Sequence, residues 1–114
     1  IENVLEDEPE MIARIAEELD QENIRLCLDI GHANCMSDIP AREWLRIMGP
    51  YLGHLHIHNN DGKRDIHGSL GEGTVDFESV FEAYEKYAPD ATIAIESIDG
   101  ESSLKWLMEK GYLR

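Results

Sequence analysis

Positive charge is scarce in this chain: 10 lysines and arginines stand against 24 aspartates and glutamates in 114 residues, a formal net charge of −14. Such a surface is not built to neutralise phosphates along a duplex, which weighs against nucleic acid as a partner without excluding it. Cysteine is also sparse. Cys27 lies inside an apolar run and Cys35 in the polar segment after it, a pattern of reduced thiols rather than of a disulfide framework. No apolar stretch approaches the roughly 18 to 20 residues needed to span a bilayer, and no basic leader with a small-residue cleavage site precedes the first acidic segment. The expectation is a cytoplasmic protein with no membrane partner. There is no glycine-rich phosphate fingerprint after any apolar run, no internal repeat and no low-complexity tract. What remains is an ordinary globular composition, 42% hydrophobic, enough for one packed domain at most.

Three short apolar runs each end at a residue able to bind a metal: Arg25–Asp29, His54–His58 and Thr92–Glu96. Side chains alternate faces along a strand, so Leu26, Leu28, Leu55, Ile57, Ile93 and Ile95 share one face. Cys27, Asp29, His54, His56, Ala94 and Glu96 share the other. One face is apolar and the other converges on chemistry.

Helical periodicity fills the intervals. Pro9 opens a helix in which Met11, Ile12, Ile15, Ala16 and Leu19 recur until Asp20, and a strand is expected over 24–30. A loop over 31–38 leads to Pro40 and a second helix carrying Trp44, Leu45, Ile47 and Met48, which ends near Gly49-Pro50. A strand over 52–59 follows. The polar stretch 60–75, with four glycines, is too long for a routine connector and reads as a binding loop. Asp76 caps a third helix with Phe77, Val80, Phe81 and Tyr84 on its apolar stripe; a strand over 91–97 and a helix over 102–110, with Leu104, Leu107 and Met108 inward, complete the order.

Strict alternation of strand and helix means a parallel sheet covered by helices, either doubly wound or part of a (β/α)8 barrel. The missing phosphate fingerprint and the polar groups gathered on one inner face favour the barrel, where ligands collect at the carboxyl ends of strands. A full barrel is typically about 250 residues, so this α/β chain corresponds to the carboxyl-terminal portion of a TIM barrel: the tip of strand 5, then strands 6–8 with their helices. Ile1-Glu2-Asn3-Val4 reads as that strand tip, and residues 1–114 as a single partial-barrel fragment. The amino-terminal half of the barrel, or another chain, is expected to cover the sheet edge.

Glu2, Asp29, His56 and Glu96 form a hard set of three carboxylates and one imidazole, suited to Mn, Mg, Co or Zn as the divalent metal. His32, three residues after Asp29, together with Asp65 and His67 in the long loop, could bind a second metal or grip a substrate. His54 and His58 share the parity of His56 and could orient it or contact substrate. Lys63 and Arg64 are the clustered cations near the mouth, able to hold a phosphate or merely to decorate a turn.

In these pieces the chain resembles the carboxyl-terminal part of the xylose-isomerase-like TIM-barrel superfamily, which holds sugar-phosphate isomerases and epimerases and the AP endonuclease family 2 with endonuclease IV. The matching segments are Ile1-Glu2-Asn3, Leu28–His32, His56–Asn60, Asp65-Ile66-His67 followed by Gly71-Glu72-Gly73, and Ile95-Glu96. The resemblance implies that Glu2, Asp29, His56 and Glu96 hold one divalent metal, with Glu2 and Glu96 also acting as the acid/base pair about an enediolate. It implies a small-molecule substrate, a sugar or sugar phosphate, in carbohydrate metabolism. In the endonuclease branch the counterparts of His32, Asp65 and His67 bind a further zinc, which keeps open zinc-dependent phosphodiester hydrolysis at abasic sites in DNA. The expected function is thus a metal-dependent isomerase/epimerase, with that hydrolase as the alternative.

Overall fold

The computed structural model describes residues 1–113. The three apolar runs form β1 (Leu26–Asp29), β2 (Leu52–Ile57) and β3 (Thr92–Ile95), hydrogen-bonded in that order and all parallel. Parallel neighbours require crossovers, which here pass through helices. These are α1 (Pro9–Leu19), α2 (Ile30–Met36), α3 (Ala41–Met48), α4 (Phe77–Tyr87) and α5 (Gly100–Glu109), with a short 3-10 turn at Gly49–Tyr51 before β2. The expected strand tip is also present. Glu2 bridges Cys27 in parallel, Cys27 N–H donates to the Ile1 carbonyl at 2.7 Å, and the Ile1 ammonium donates to the Arg25 carbonyl at 3.0 Å.

Register decides what meets what. Cys27 lies beside His54 and His54 beside Thr92; one level higher, Asp29 lies beside His56 and His56 beside Ala94. The opposite face is the core: Leu26, Leu28, Leu55 and Ile57 are buried against Ile12 of α1, Trp44, Leu45 and Met48 of α3 and Val80 of α4. Asp76 and Asp99 cap α4 and α5, accepting the Ser79 and Ser102 N–H groups at 3.2 and 2.9 Å.

Several expected boundaries shift. The strand expected over 24–30 is confined to Leu26–Asp29, and part of the loop expected over 31–38 is the helix α2. Gly31 and Asn34 are weak helix formers, which hides α2 in the sequence. The helix forms because Asp29 ends the strand as its N-cap, accepting the His32 N–H at 2.8 Å. β2 stops at Ile57 rather than at 59, since Asn59 leaves the ladder to form an antiparallel bridge with Gly68. β3 is likewise shorter than 91–97. α5 starts at Gly100 and buries Ser103 and Leu107, one helical turn apart, so Leu104 and Met108 are exposed rather than inward. On α1 the buried stripe is Ile12, Ala13 and Ala16, leaving Met11, Ile15 and Leu19 exposed.

A cavity of about 530 Å³ lies beside β3 and is lined by Phe81, Tyr84, Ile93, Ile95, Leu107 and Tyr112 among others, with none of the candidate ligands. Ile93 is correspondingly exposed, unlike its counterparts on β1 and β2. No helix among the described residues is long and apolar enough to cross a membrane.

Candidate functional site

The shared register of Asp29 and His56 sets the centre of the site, and longer side chains reach it from other levels. Glu2 pairs at the level of Cys27, one below, and Glu96 follows β3 one level above Ala94, its N–H bound to the Ile57 carbonyl at 3.0 Å. All three carboxylates converge on one ring nitrogen: His56 Nδ1 is 3.1 Å from Glu2 Oε1, 3.4 Å from Glu96 Oε2 and 3.6 Å from Asp29 Oδ2. A divalent cation bound at about 2.1 Å by oxygen and nitrogen ligands holds them roughly 3.0–3.4 Å apart. The Glu2 and Glu96 distances to His56 are of that size, and the Asp29 distance lies just beyond it.

Asp29 is the most constrained member. Asn3, itself buried, clamps its backbone, donating from Nδ2 to the Asp29 carbonyl at 3.0 Å and accepting the Asp29 N–H on Oδ1 at 2.7 Å. Its carboxylate is fully buried: Oδ1 takes the His32 N–H and the ring of His58 at 2.9 Å, while Oδ2 has no hydrogen-bond partner. Burial pushes the Asp29 pKa up, but the His58 and His32 bonds outweigh it and hold the carboxyl below its ordinary range. An ionised, buried oxygen left without a donor is costly unless something cationic meets it. Cys27 lies below this group. Burial, with Glu2 and Asp29 adding to it, pushes its thiol up to about 11, and both cysteines are free.

A second cluster adjoins the first. Asp65 Oδ2 is 3.2 Å from His32 Nε2 and 3.4 Å from His67 Nε2, and Asp65 Oδ1 is 3.8 Å from His58 Nδ1. Both outer rings are oriented through their other nitrogen: His32 Nδ1 is 2.9 Å from the Asn3 carbonyl and His67 Nδ1 is 2.8 Å from the Glu96 carbonyl. A protonated Nδ1 bound to a carbonyl leaves Nε2 to face the carboxylate, which is the usual orientation of a ligating histidine. Burial lowers the His32 pKa, but the Asn3 carbonyl together with Asp29, Asp65 and Glu2 more than reverses this, so it is raised. His67 takes a left-handed backbone, φ 49°, which a non-glycine residue adopts only under local constraint.

The sequence places His32, Asp65 and His67 together and leaves His58 either to orient His56 or to contact substrate. His58 is fully buried between Asp29 and Asp65, its ring stacked on His67 at 3.8 Å. His54 is lower in the sheet, its Nδ1 2.6 Å from Thr92 Oγ1. Lys63 and Arg64 sit on an outer turn. Arg64 Nη2 pairs with Asp61 at 2.9 Å, and among the described residues neither cation forms a hydrogen bond or ion pair with the clusters.

Two buried asparagines, missed as functional residues in the sequence, hold the long loop to the site. Asn59 Oδ1 accepts the Asn60 and Val75 N–H groups and its Nδ2 donates to the Leu70 carbonyl. Asn60 Nδ2 donates to the Gly31 carbonyl, while its Oδ1 accepts from Gly62 N–H and Asn34 Nδ2. Only the tight spacing Asn59-Asn60 beside a glycine-rich loop could have signalled this; a Cβ on Gly73 would lie 2.2 Å from Asn59 Oδ1.

The tip of that loop makes a pH test. Asp61 accepts the Arg64 and Lys63 N–H groups and the Arg64 side chain, which hold its pKa down to about 2. A depressed carboxyl stabilises the turn above the unfolded pKa near 4, and that contribution is lost as pH falls through about 2. A carboxyl-carbon NMR titration of Asp61 is expected to show its midpoint near pH 2; a midpoint at the ordinary value would contradict this turn.

Residues 1–112 match the family described as xylose isomerase-like TIM barrel. The chain belongs to this family. Its parallel sheet is therefore part of a TIM barrel, as the strand order implied. Among its relatives, the uncharacterized protein MJ1311 of Methanocaldococcus jannaschii is 35% identical over 99 residues, an alignment covering 85% of this chain and 33% of that protein. A solved D-tagatose 3-epimerase-like protein superposes with a TM-score of 0.81 at 28% identity, covering 97% of this chain and 45% of that one. The D-allulose 3-epimerase of a Methylomonas species gives 0.71 at 25% identity, over 94% of this chain and 38% of that enzyme. The chain thus spans less than half the length of each of these xylose isomerase-like proteins.

Proposed function

We propose that the protein carrying this chain is a divalent-metal-dependent isomerase or epimerase of a small sugar or sugar phosphate. The observation that carries this reading is the convergence of three carboxylates on His56 Nδ1, with Asp29 Oδ2 buried and unpartnered at the centre. Three negative charges packed this closely repel one another, and a dication bound by Glu2, Asp29, His56 and Glu96 removes both the repulsion and the orphaned oxygen. Likeness to a D-tagatose 3-epimerase-like protein and to a D-allulose 3-epimerase supports a ketose as substrate.

When bound, the metal would polarise substrate oxygens and so acidify the neighbouring carbon-bound proton. Glu2 and Glu96, half-exposed on opposite sides of His56, are the groups placed to take and return that proton about an enediolate. Asp29 is too deeply buried, and too fully engaged on Oδ1, to shuttle protons; its part is to hold charge. The second cluster is available to orient a substrate hydroxyl through His32. On the long loop Arg64 is paired with Asp61 while Lys63 has no ion pair among the described residues, so a phosphate grip from this loop would fall to Lys63.

The test is exchange of carbon-bound hydrogen. Free ketoses incubated in D2O with the intact protein and Mn2+ should incorporate deuterium together with epimer formation, and chelation followed by Mn2+ return should abolish and restore both. Exchange unaffected by chelation would refute the reading.

A second reading draws on the His32, Asp65 and His67 cluster, which with His58 offers enough ligands for another cation. That would favour zinc-dependent hydrolysis of a phosphodiester at abasic DNA. Several zincs per protein with abasic-site cleavage would support it; one dication with sugar turnover would exclude it.

A further inference from the structure

Among the fully buried polar side chains outside the four proposed ligands is His58, although the sequence places it at the mouth of a loop. Room for it is made by a residue on another element. A Cβ on Gly31 in the first turn of α2 would fall 1.9 Å from His58 Cε1, so the ring occupies the space that a glycine leaves. Within that slot the ring has little freedom, since it also stacks on His67 with planes only 7° apart.

The consequence falls on Asp29. A carboxylate at a strand end can rotate about its last bond and present either oxygen inward. Here His58 Nε2 lies 2.9 Å from Oδ1, and the His32 N–H lies 2.8 Å from the same oxygen. Oδ2 receives neither donor and is left unpartnered 3.6 Å from His56 Nδ1. A carboxylate accepts but cannot donate, so this contact requires a proton on Nε2, while His58 Nδ1 has no hydrogen-bond partner.

The geometry points to His58 as the positioning residue of the metal centre: it donates Nε2–H to Asp29 Oδ1 and thereby turns Oδ2 toward the cation. This rests on the metal reading of Glu2, Asp29, His56 and Glu96. His58 itself touches neither cation nor substrate in this role. Partners that orient a ligand from behind commonly account for 10–100-fold in metal affinity.

The two amides separate the role from simple space filling. Glutamine places its NH2 where Nε2 lies, whereas asparagine ends near the position of Nδ1 and falls short of Asp29. Co2+ binding to the intact protein is followed by its visible d–d absorption, with competition by a chelator to obtain affinity. His58→Gln is expected to keep the affinity within a few-fold and to retain the spectrum. His58→Asn should lose about 10–100-fold with a changed spectrum. A bulk structural role would affect the two amides alike, so equal affinities and spectra overturn the assignment. Should one variant fail to fold, Gly31→Ala, which pushes the ring off Asp29 from α2, must reproduce the His58→Asn loss; an unchanged Co2+ affinity overturns it. If the unsubstituted protein shows no saturable Co2+ site, the metal reading itself falls, and this assignment with it.

Discussion

Asp29→Asn is expected to abolish tight binding of a divalent cation while leaving the metal-free protein about as stable as before. The reasoning turns on the two carboxylate oxygens having different partners. Asparagine can keep its carbonyl oxygen where Oδ1 accepts the His32 and His58 donors, and its NH2 then takes the place of Oδ2. In the metal-free form that exchange removes an unpartnered ionised oxygen and gives the neighbouring carboxylates a donor, which offsets the weakening of two charge-assisted bonds. A net change within about 1 kcal/mol follows.

The metal-bound form loses a charged ligand and gains an NH2 pointing at the cation. Outer partners alone commonly account for 10–100-fold in affinity, so loss of the ligand should reach at least about 100-fold. Thermal or denaturant unfolding makes this visible by linkage. A cation at a hundred times its Kd stabilises the parent protein by about 2.7 kcal/mol. The same concentration would add only about 0.4 kcal/mol to the variant. Equal stabilisation of both would remove Asp29 from the ligand set.

Glu2→Gln and Glu96→Gln should each lower turnover by about 10²- to 10⁴-fold even when cation is raised to saturation, because each removes a proton-transfer group as well as a ligand. Both glutamate side chains are partly open to solvent in this chain, 35% and 37% exposed, and so are accessible to a substrate. Measuring turnover at several cation concentrations separates the two losses: weaker binding is overcome by more cation, and missing proton transfer is not. A variant within tenfold of the parent at saturation would take that glutamate out of the acid/base pair.

Much of this was legible in the sequence because it rests on strand parity. Once Leu26, Leu28, Leu55 and Ile57 are assigned to the core, Asp29 and His56 must face the other way, and the observed register sets them side by side. The opening strand tip follows the same logic, with Glu2 beside Cys27. What parity cannot convey is everything beyond the ends of the ladder. His58 continues the parity of His56 on paper, but the chain leaves the strand after Ile57, and its ring turns into the slot at Gly31. Helix α2 was hidden for a related reason: weak helix formers are held by the Asp29 cap and by packing at Ile30 and Ala33, neither of which local propensity records. The outward turn of Leu104 and Met108 came from the pairing of Ser103 with the loop: its Oγ accepts the Leu70 N–H at 3.1 Å, a long-range contact with no local trace.

The central claim is that Glu2, Asp29, His56 and Glu96 hold one cation together. Crystals of the intact protein grown with zinc and measured at the zinc absorption edge locate bound metal directly. The expected result is an anomalous peak about 2.0–2.2 Å from His56 Nδ1, Asp29 Oδ2 and one oxygen of each glutamate. A fully occupied peak among His32, Asp65 and His67 with none at His56, or no peak at either cluster, would contradict it.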